Sequence, residues 1–308
     1  MFDLIIIGGS IAGTTAAVYA ARRKLNFKMV TGDIGGEVAL SGTVENWPTV
    51  NETTGFELAQ KLGEQLKFNN VPVDEGFFVS EIIASGKTWI VKAKSLSGED
   101  VTYETRAIIL ASGVKPKHLG VTGEDALLHR GVTYCTVCDG PLYKNKITTT
   151  IGGGNSALES ALMMASIATK VFVINKNDKF KGEQILIDKL TKTPNVEIIY
   201  NAKTTAIEGE GSVSGVSYTL PDGSSHTVAT QGVMIHIGNN PNSGFAPVEK
   251  DKFGQILVDA LCRTNLPGIY AAGDVTNTPY KQIVVAAGMG CTAALAAIEY
   301  INRFEDAV

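Results

Sequence analysis

The chain has 308 residues, 44% of them hydrophobic and 19% charged, with a formal net charge of −4 at pH 7. That length suffices for two domains with real cores, and the composition excludes a collagenous, disordered or disulfide-scaffold protein. No long basic run is present, so no nucleic-acid partner is expected.

The first element is the apolar run Leu4–Ile7. It is followed by Gly8-Gly9-Ser10-Ile11-Ala12-Gly13 and an Ala-rich stretch to Arg23, which reads as strand, tight turn and helix. Asp3 stands before the run and Arg22–Arg23 after it, the reverse of a secretory signal. No segment reads as apolar over the ~20 residues of a membrane span. The expectation is a soluble cytoplasmic protein with no membrane association. Phe27–Thr31 reads as the next strand, giving a parallel βαβ unit. Gly8 and Gly13 match the dinucleotide fingerprint GxGxxG, with Ser10 at the middle position. The Ser10 hydroxyl is expected to donate to a phosphate oxygen, beside the open N–H groups of a helix N-terminus. Asp33, just past the second strand, is the candidate for holding ribose hydroxyls.

Thr88–Ala93 and Val101–Tyr103 flank the turn Ser97-Gly98-Glu99-Asp100, a hairpin signal. Ala107–Ala111 reads as a separate strand ending at Ser112-Gly113. About 140 residues after the first unit the same pattern returns. Ile147–Ile151 is a strand, Gly152-Gly153-Gly154-Asn155-Ser156-Ala157 a turn, Leu158–Ser166 a helix and Lys170–Ile174 a strand. Gly152, Gly154 and Ala157 give the GxGxxA form, with Asn155 and Ser156 inside it. Two such units, each between a strand and a helix, are a far stronger signal than one. The second strand runs into Asn175-Lys176-Asn177-Asp178-Lys179-Phe180-Lys181. This loop has no strand-end carboxylate for a ribose, whereas Lys176, Lys179 and Lys181 are cations suited to a 2′-phosphate. Gly215–Leu220, a turn at Pro221-Asp222-Gly223, Thr227–Val228 and Gly232–Ile237 repeat the hairpin-then-strand order. Gly268–Ala272 leads into Gly273-Asp274 and a helix over Ala286–Ile301. The fold class is therefore α/β, with two Rossmann-like nucleotide domains of three-layer ββα type, each carrying an inserted β-hairpin or meander.

Between the two units stands Cys135-Thr136-Val137-Cys138-Asp139-Gly140. Half a zinc site would need two more ligands, but there is no second C-x-x-C and the four histidines are scattered, so no metal is expected. As a redox pair, the spacing closes a small disulfide ring and lets one thiolate be activated by its surroundings. Asp139 is placed to exchange a proton with that thiolate. Cys262 and Cys291 stand alone and read as small buried apolar side chains.

Taken in order, Gly8…Gly13, Val44-Glu45-Asn46-Trp47-Pro48, Cys135–Gly140, Gly152–Ala157 and Gly273-Asp274-Val275 resemble the low-molecular-weight thioredoxin reductases over nearly the whole chain. Gly182-Glu183-Gln184 and Tyr280-Lys281-Gln282-Ile283 are also similar to the reductase part of alkyl hydroperoxide reductase F. The resemblance implies a discontinuous FAD domain (residues 1–114 and 243–308) and a nicotinamide domain (118–240) that carries the disulfide. FAD would lie near Gly8, Ser10, Gly13, Asp33, Gly36 and Asn46, closed in by Gly273, Asp274, Lys281, Gln282 and Ile283. NADPH or NADH would lie at Gly152, Gly154, Asn155, Ser156, Ala157, Lys176 and Lys181. Cys138 would face the flavin, Cys135 would exchange with a thioredoxin-like dithiol protein, and Asp139 would serve as acid–base. A hinge near Gly113–Gly120 and Gly238–Gly244, and a homodimer, are further implications. The chain departs from the family pattern at Ser10, at Glu37 where Gln is usual, at Lys281, and at Asn175-Lys176-Asn177, where NADPH-using members carry His-Arg-Arg. Relatives that have lost that basic motif suggest two alternatives: reduced ferredoxin as the electron donor, or a flavin-dependent thiol oxidase.

Overall fold

The computed structural model describes residues 1–41 and 43–304. The chain divides into two compact units, Met1–Lys115 with Asn240–Val308, and Pro116–Asn239.

In the first unit, strand β1 (Phe2–Gly9) carries Leu4, Ile5 and Ile6, all fully buried. A continuous apolar run is what a central parallel strand covered on both faces requires. Helix α1 (Ile11–Arg22) follows, then β2 (Phe27–Ile34), which pairs parallel with β1 from Leu4↔Phe27. β2 extends three residues beyond the expected Thr31, so Asp33 lies inside the strand and not after it. Helix α2 (Gly55–Phe68) opens on a reciprocal capping box between Thr54 and Glu57, which satisfies two backbone donors at once. Strand β3 (Val73–Glu75) precedes an antiparallel meander of β4 (Phe77–Ser85), β5 (Thr88–Ser95) and β6 (Asp100–Leu110). The two expected strands at Val101–Tyr103 and Ala107–Ala111 are thus one long strand, and β4 was not anticipated.

The second unit starts with the short strand β7 (Val132–Thr133) and one turn of helix, α3 (Thr136–Asp139). Its nucleotide fold comprises β8 (Ile147–Ile151), α4 (Asn155–Ala165), β9 (Lys170–Ile174), α5 (Gln184–Thr191) and β10 (Val196–Ile199). The three-stranded antiparallel insertion β11 (Lys203–Glu208), β12 (Gly215–Thr219) and β13 (Ser225–Ala229) follows, and β14 (Gly232–Ile235) returns to the main sheet. The sheet order β7-β14-β8-β9-β10 is parallel throughout.

The chain then re-enters the first unit. β15 (Ile269–Ala271) pairs parallel with the C-terminal half of β6, completing a seven-stranded sheet. Helix α6 (Ile283–Phe304) closes the unit. It has 22 residues, and an 18-residue window within it has a mean hydropathy of 1.7, enough by length and composition to cross a membrane. This corrects the expectation that no segment is so apolar. In the structure α6 is packed against α1, and a Cβ at Gly290 would lie 2.2 Å from the Ala12 carbonyl oxygen. Ala286, Ala293, Ala294, Ala297 and Ile301 join Ala12, Ala16, Ala17 and Ala20 in one core. Small residues on both helices permit this approach, and the close packing uses the apolar length of α6.

Candidate active site

Cys135 and Cys138 are joined by a disulfide, with Cα atoms 5.3 Å apart, an ordinary separation for such a bond. Cys135 is the N-cap of α3, and its Sγ accepts the Cys138 amide at 3.3 Å. An amide aimed at sulfur favours a thiolate there once the disulfide is opened. Asp139 ends the same turn, with its amide on the Cys135 carbonyl at 3.0 Å. Burial raises its carboxyl above the usual range, opposed by the Thr133 hydroxyl, which donates to Oδ2, and by His129. Val137, between the cysteines, is exposed.

The turn is anchored from below. Thr136 is buried, and its Oγ1 lies 2.6 Å from Ser160 Oγ on α4 and 2.7 Å from His236 Nε2, just past β14. Burial depresses the His236 pKa to about 4, so its ring is neutral at pH 7. Before the turn, Tyr134 donates to the buried Glu124 at 2.7 Å, and Glu124 also accepts the amides of Leu119 and Gly120.

The glycine loop of the same unit is tight. A Cβ at Gly152, whose φ is +147°, would lie 2.2 Å from the His236 carbonyl oxygen. Gly154 caps α4 without a side-chain acceptor, Ala157 is fully buried and Ser156 is exposed. The Asn155 side chain is occupied by Glu183, accepting its amide at 2.8 Å and donating to its carboxylate at 2.9 Å. At the end of β9, Asn175 is buried and structural. Its Nδ2 donates to the Lys179 carbonyl and its Oδ1 accepts the Asn177 amide. Lys176 and Lys181 are exposed, and the Lys181 amide donates to the Gly153 carbonyl at 2.7 Å, which ties that residue's backbone to the glycine loop.

The first unit has its own cradle. A Cβ at Gly13 would meet the Gly8 carbonyl oxygen at 1.9 Å, so only glycine permits this turn. Ser10 is the N-cap of α1 but makes no side-chain bond to the helix. Its hydroxyl donates to the Gly35 carbonyl at 2.6 Å. Asp33 accepts the Gly36 amide at 2.8 Å through Oδ1. Asn46 Nδ2 donates to Gln282 Oε1 at 3.3 Å, across 236 residues of chain. Gly273 takes a positive φ of 76° at the turn after β15. Asp274 beside it has its pKa raised to about 6 by burial, against the pull of Lys281. Lys281 donates to the Thr276 carbonyl at 2.6 Å, and Ile283 is the first residue of α6. Cys262 is buried, and burial pushes its thiol up to about 11; Cys291 is half-buried.

A model of the pyridine nucleotide-disulphide oxidoreductase family matches residues 2–290. The chain belongs to this family. It is 37% identical over 311 residues to alkyl hydroperoxide reductase F of Escherichia coli (strain K12), covering 99% of this chain and 59% of that protein. It is 35% identical over 314 residues to a protein named NADH dehydrogenase from Ferdinandcohnia aciditolerans, covering 98% and 58%. The chain thus spans less than two thirds of the length of these relatives. Thioredoxin reductase from Streptococcus pyogenes MGAS5005 superposes with a TM-score of 0.91 at 35% identity, over 99% of both chains. The likeness to thioredoxin reductases drawn from the motifs holds, as does the α/β class.

Membership of the pyridine nucleotide-disulphide oxidoreductases implies a flavin and a nicotinamide nucleotide. The residues present fit such groups: Gly8, Gly13 and Gly152 have no room for a Cβ, and both following helices start without a side-chain cap, leaving amides open to an anion. Sequence reasoning missed Thr133, Ser160 and His236. For His236 a signal existed, since it follows the C-terminal end of a parallel strand, where α/β sheets place functional groups.

Proposed function

We propose that this chain is an FAD-dependent disulfide reductase of the thioredoxin reductase type. It takes electrons from NADPH and passes them through Cys135–Cys138 to the disulfide of a thioredoxin-like protein. The observation that carries the reading is a bonded C-x-x-C pair beside a carboxyl with a raised pKa, in the same compact unit as a glycine-loop nucleotide fold.

In this reading residues 1–114 and 243–308 hold FAD through Gly8, Gly13, Asp33, Gly36, Asn46, Gly273, Asp274, Lys281, Gln282 and Ile283, with Ser10 shaping the loop. FAD, when bound, supplies a two-electron carrier between nicotinamide and disulfide. Residues 118–240 hold the nicotinamide nucleotide at Gly152, Gly154 and Ala157 and at the amides of Asn155 and Ser156. Lys176 and Lys181 are the cations for a 2′-phosphate. Reduction of the disulfide consumes two electrons and two protons. Cys138 receives the electrons, Asp139 hands over a proton, and Cys135 attacks the partner's disulfide. That exchange re-forms the Cys135–Cys138 bond and releases the partner as a dithiol. The protein acts in the cytoplasm as a homodimer, in a compartment that keeps dithiol partners cycling.

A second reading, NADH as donor, is favoured by the likeness to a protein named NADH dehydrogenase and by the use of Asn175 as a buried structural residue. Anaerobic stopped-flow mixing of the flavin-loaded protein with each nucleotide decides. Faster bleaching of the flavin by NADPH supports the first reading, and faster bleaching by NADH the second. Bleaching by neither would overturn both and leave a ferredoxin-type donor or a thiol oxidase.

A further inference from the structure

The redox turn α3 has four residues, far fewer than a helix needs to persist unaided in water. In the oxidised protein the covalent ring holds Cys135 against Cys138. After reduction the ring is open, and the geometry depends on what grips the turn. The grip is Thr136, the residue after Cys135, whose hydroxyl lies within hydrogen-bond distance of Ser160 on α4 and of His236. Thr136 and Ser160 are both buried. The contact of Gly140 with Thr136, Met163 and Met164 leaves the turn little room, since a Cβ there would sit 3.1 Å from Met164 Sδ. A hydroxyl has one hydrogen and two lone pairs. The line Ser160–Thr136–His236 is therefore satisfied in either direction, with His236 Nε2 accepting or donating at its end.

His236 itself is fixed independently of Thr136. Its amide donates to the Ile151 carbonyl at 2.8 Å. Its carbonyl is the atom that a Cβ at Gly152 would strike. The imidazole is thus attached to the rigid end of the parallel sheet and reaches outward to the redox turn.

We infer that His236 is the positioning residue of the redox disulfide: through Thr136 it holds α3 in the same conformation before and after reduction. The inference rests on Cys135–Cys138 being the redox couple. Its consequence follows from conformational entropy. Without the anchor the dithiol gains freedom that the ring-closed form does not share, so the equilibrium moves toward dithiol and the effective concentration of one thiol at the other falls.

The test is equilibration of the flavin-loaded protein with glutathione. Two glutathione molecules give up two electrons and two protons to the disulfide, yielding two cysteine thiols and one glutathione disulfide. The dithiol fraction is read by alkylation and mass of the peptide holding both cysteines, which keeps Cys262 and Cys291 out of the measurement. His236→Leu is expected to shift the equilibrium toward dithiol by roughly tenfold, about 30 mV for a two-electron couple. Thr136→Val should shift it in the same direction, and His236→Gln, whose amide reaches with a donor and an acceptor, should restore it. An unchanged equilibrium in both disruptive variants, or a shift that glutamine fails to restore, overturns the inference. A fall in melting temperature alone would mark His236 as a packing residue and counts against it too. If the wild-type pair never exchanges with glutathione, the redox reading itself fails, which is a distinguishable result.

Discussion

At the scale of single residues, the chemistry turns on how Asp139 is kept ready to give up a proton. Burial favours its neutral form, and the Thr133 hydroxyl partly offsets this by donating to the carboxylate. Removing that donor takes away a stabiliser of the charged form, so Thr133→Val raises the Asp139 pKa further. A group with a higher pKa keeps its proton to higher pH. If Asp139 supplies the proton consumed on reduction, the rate falls as pH rises through its pKa, and Thr133→Val moves that limb to higher pH. The pH profile of disulfide reduction under single-turnover conditions checks this, and a limb that stays put or moves down sinks it. Asp139→Asn should abolish the limb and slow the step by ~10²-fold. Cys135, Cys138 and Asp139 were legible in the sequence because they fall within five consecutive positions of it. Ser160 and His236 were not, because what joins them to the turn is a fold that brings residues 24 and 100 positions apart within hydrogen-bond distance. Thr133 is only six positions from Asp139, but it lies outside the C-x-x-C spacing and nothing in the sequence directs its hydroxyl to that carboxylate. Ser10 was legible as a loop position, but its partner Gly35 was not.

At the scale of elements, each misreading has a physical source. β6 is one strand, but its N-terminal half alternates exposed and buried residues whereas its last four residues are all buried. The first half pairs with the meander and keeps one face toward solvent; the second lies between β1 and β15. A single strand in two environments changes its apparent period, and period is what a sequence reading detects. Helix α6 was legible as a helix, but its apolar length was not, because its small residues record a close approach to α1 and not a stripe of large apolar side chains. Two glycines on it make this testable. Gly290 has the Ala12 backbone 2.2 Å from where a Cβ would sit, while Gly288 has nothing within 4 Å. Gly288→Ala should stabilise the fold by ~0.5–1 kcal/mol through helix propensity. Gly290→Ala, with the same gain in propensity, should instead destabilise it by ~1–3 kcal/mol by forcing the helices apart. Denaturant unfolding of the two variants side by side decides; equal and like-signed changes would refute the packing account.

At the scale of the whole molecule, the two units differ in how the chain builds them. The second is one continuous stretch whose ends meet, with the Lys117 amide donating to the Gly238 carbonyl at 2.9 Å. Its sheet draws every strand from within residues 116–239, and its two cores do the same. The first unit is split, and its central strand β6 takes β15 as a neighbour from beyond residue 240. Its core likewise draws Tyr270, Ala272, Ala286, Ala293, Ala294, Ala297 and Ile301 from the C-terminal segment. A continuous unit with adjacent ends is the arrangement that tolerates excision. Residues 116–239 expressed alone should therefore unfold in one cooperative transition and form the Cys135–Cys138 disulfide. Residues 1–115 alone should not, since α1 and β6 would each expose an apolar face to water. The strands at the two crossings, Val114–Pro116 and Asn239–Pro241, pair with each other. A short Gly/Ser linker joining residue 115 to residue 240 should therefore restore cooperative folding to the first unit. Thermal melts followed by far- and near-ultraviolet circular dichroism separate the outcomes. A cooperative melt of residues 1–115 by themselves would show that the first core does not need its C-terminal segment, and a near-ultraviolet signal missing from residues 116–239 would show that the second unit does not fold on its own.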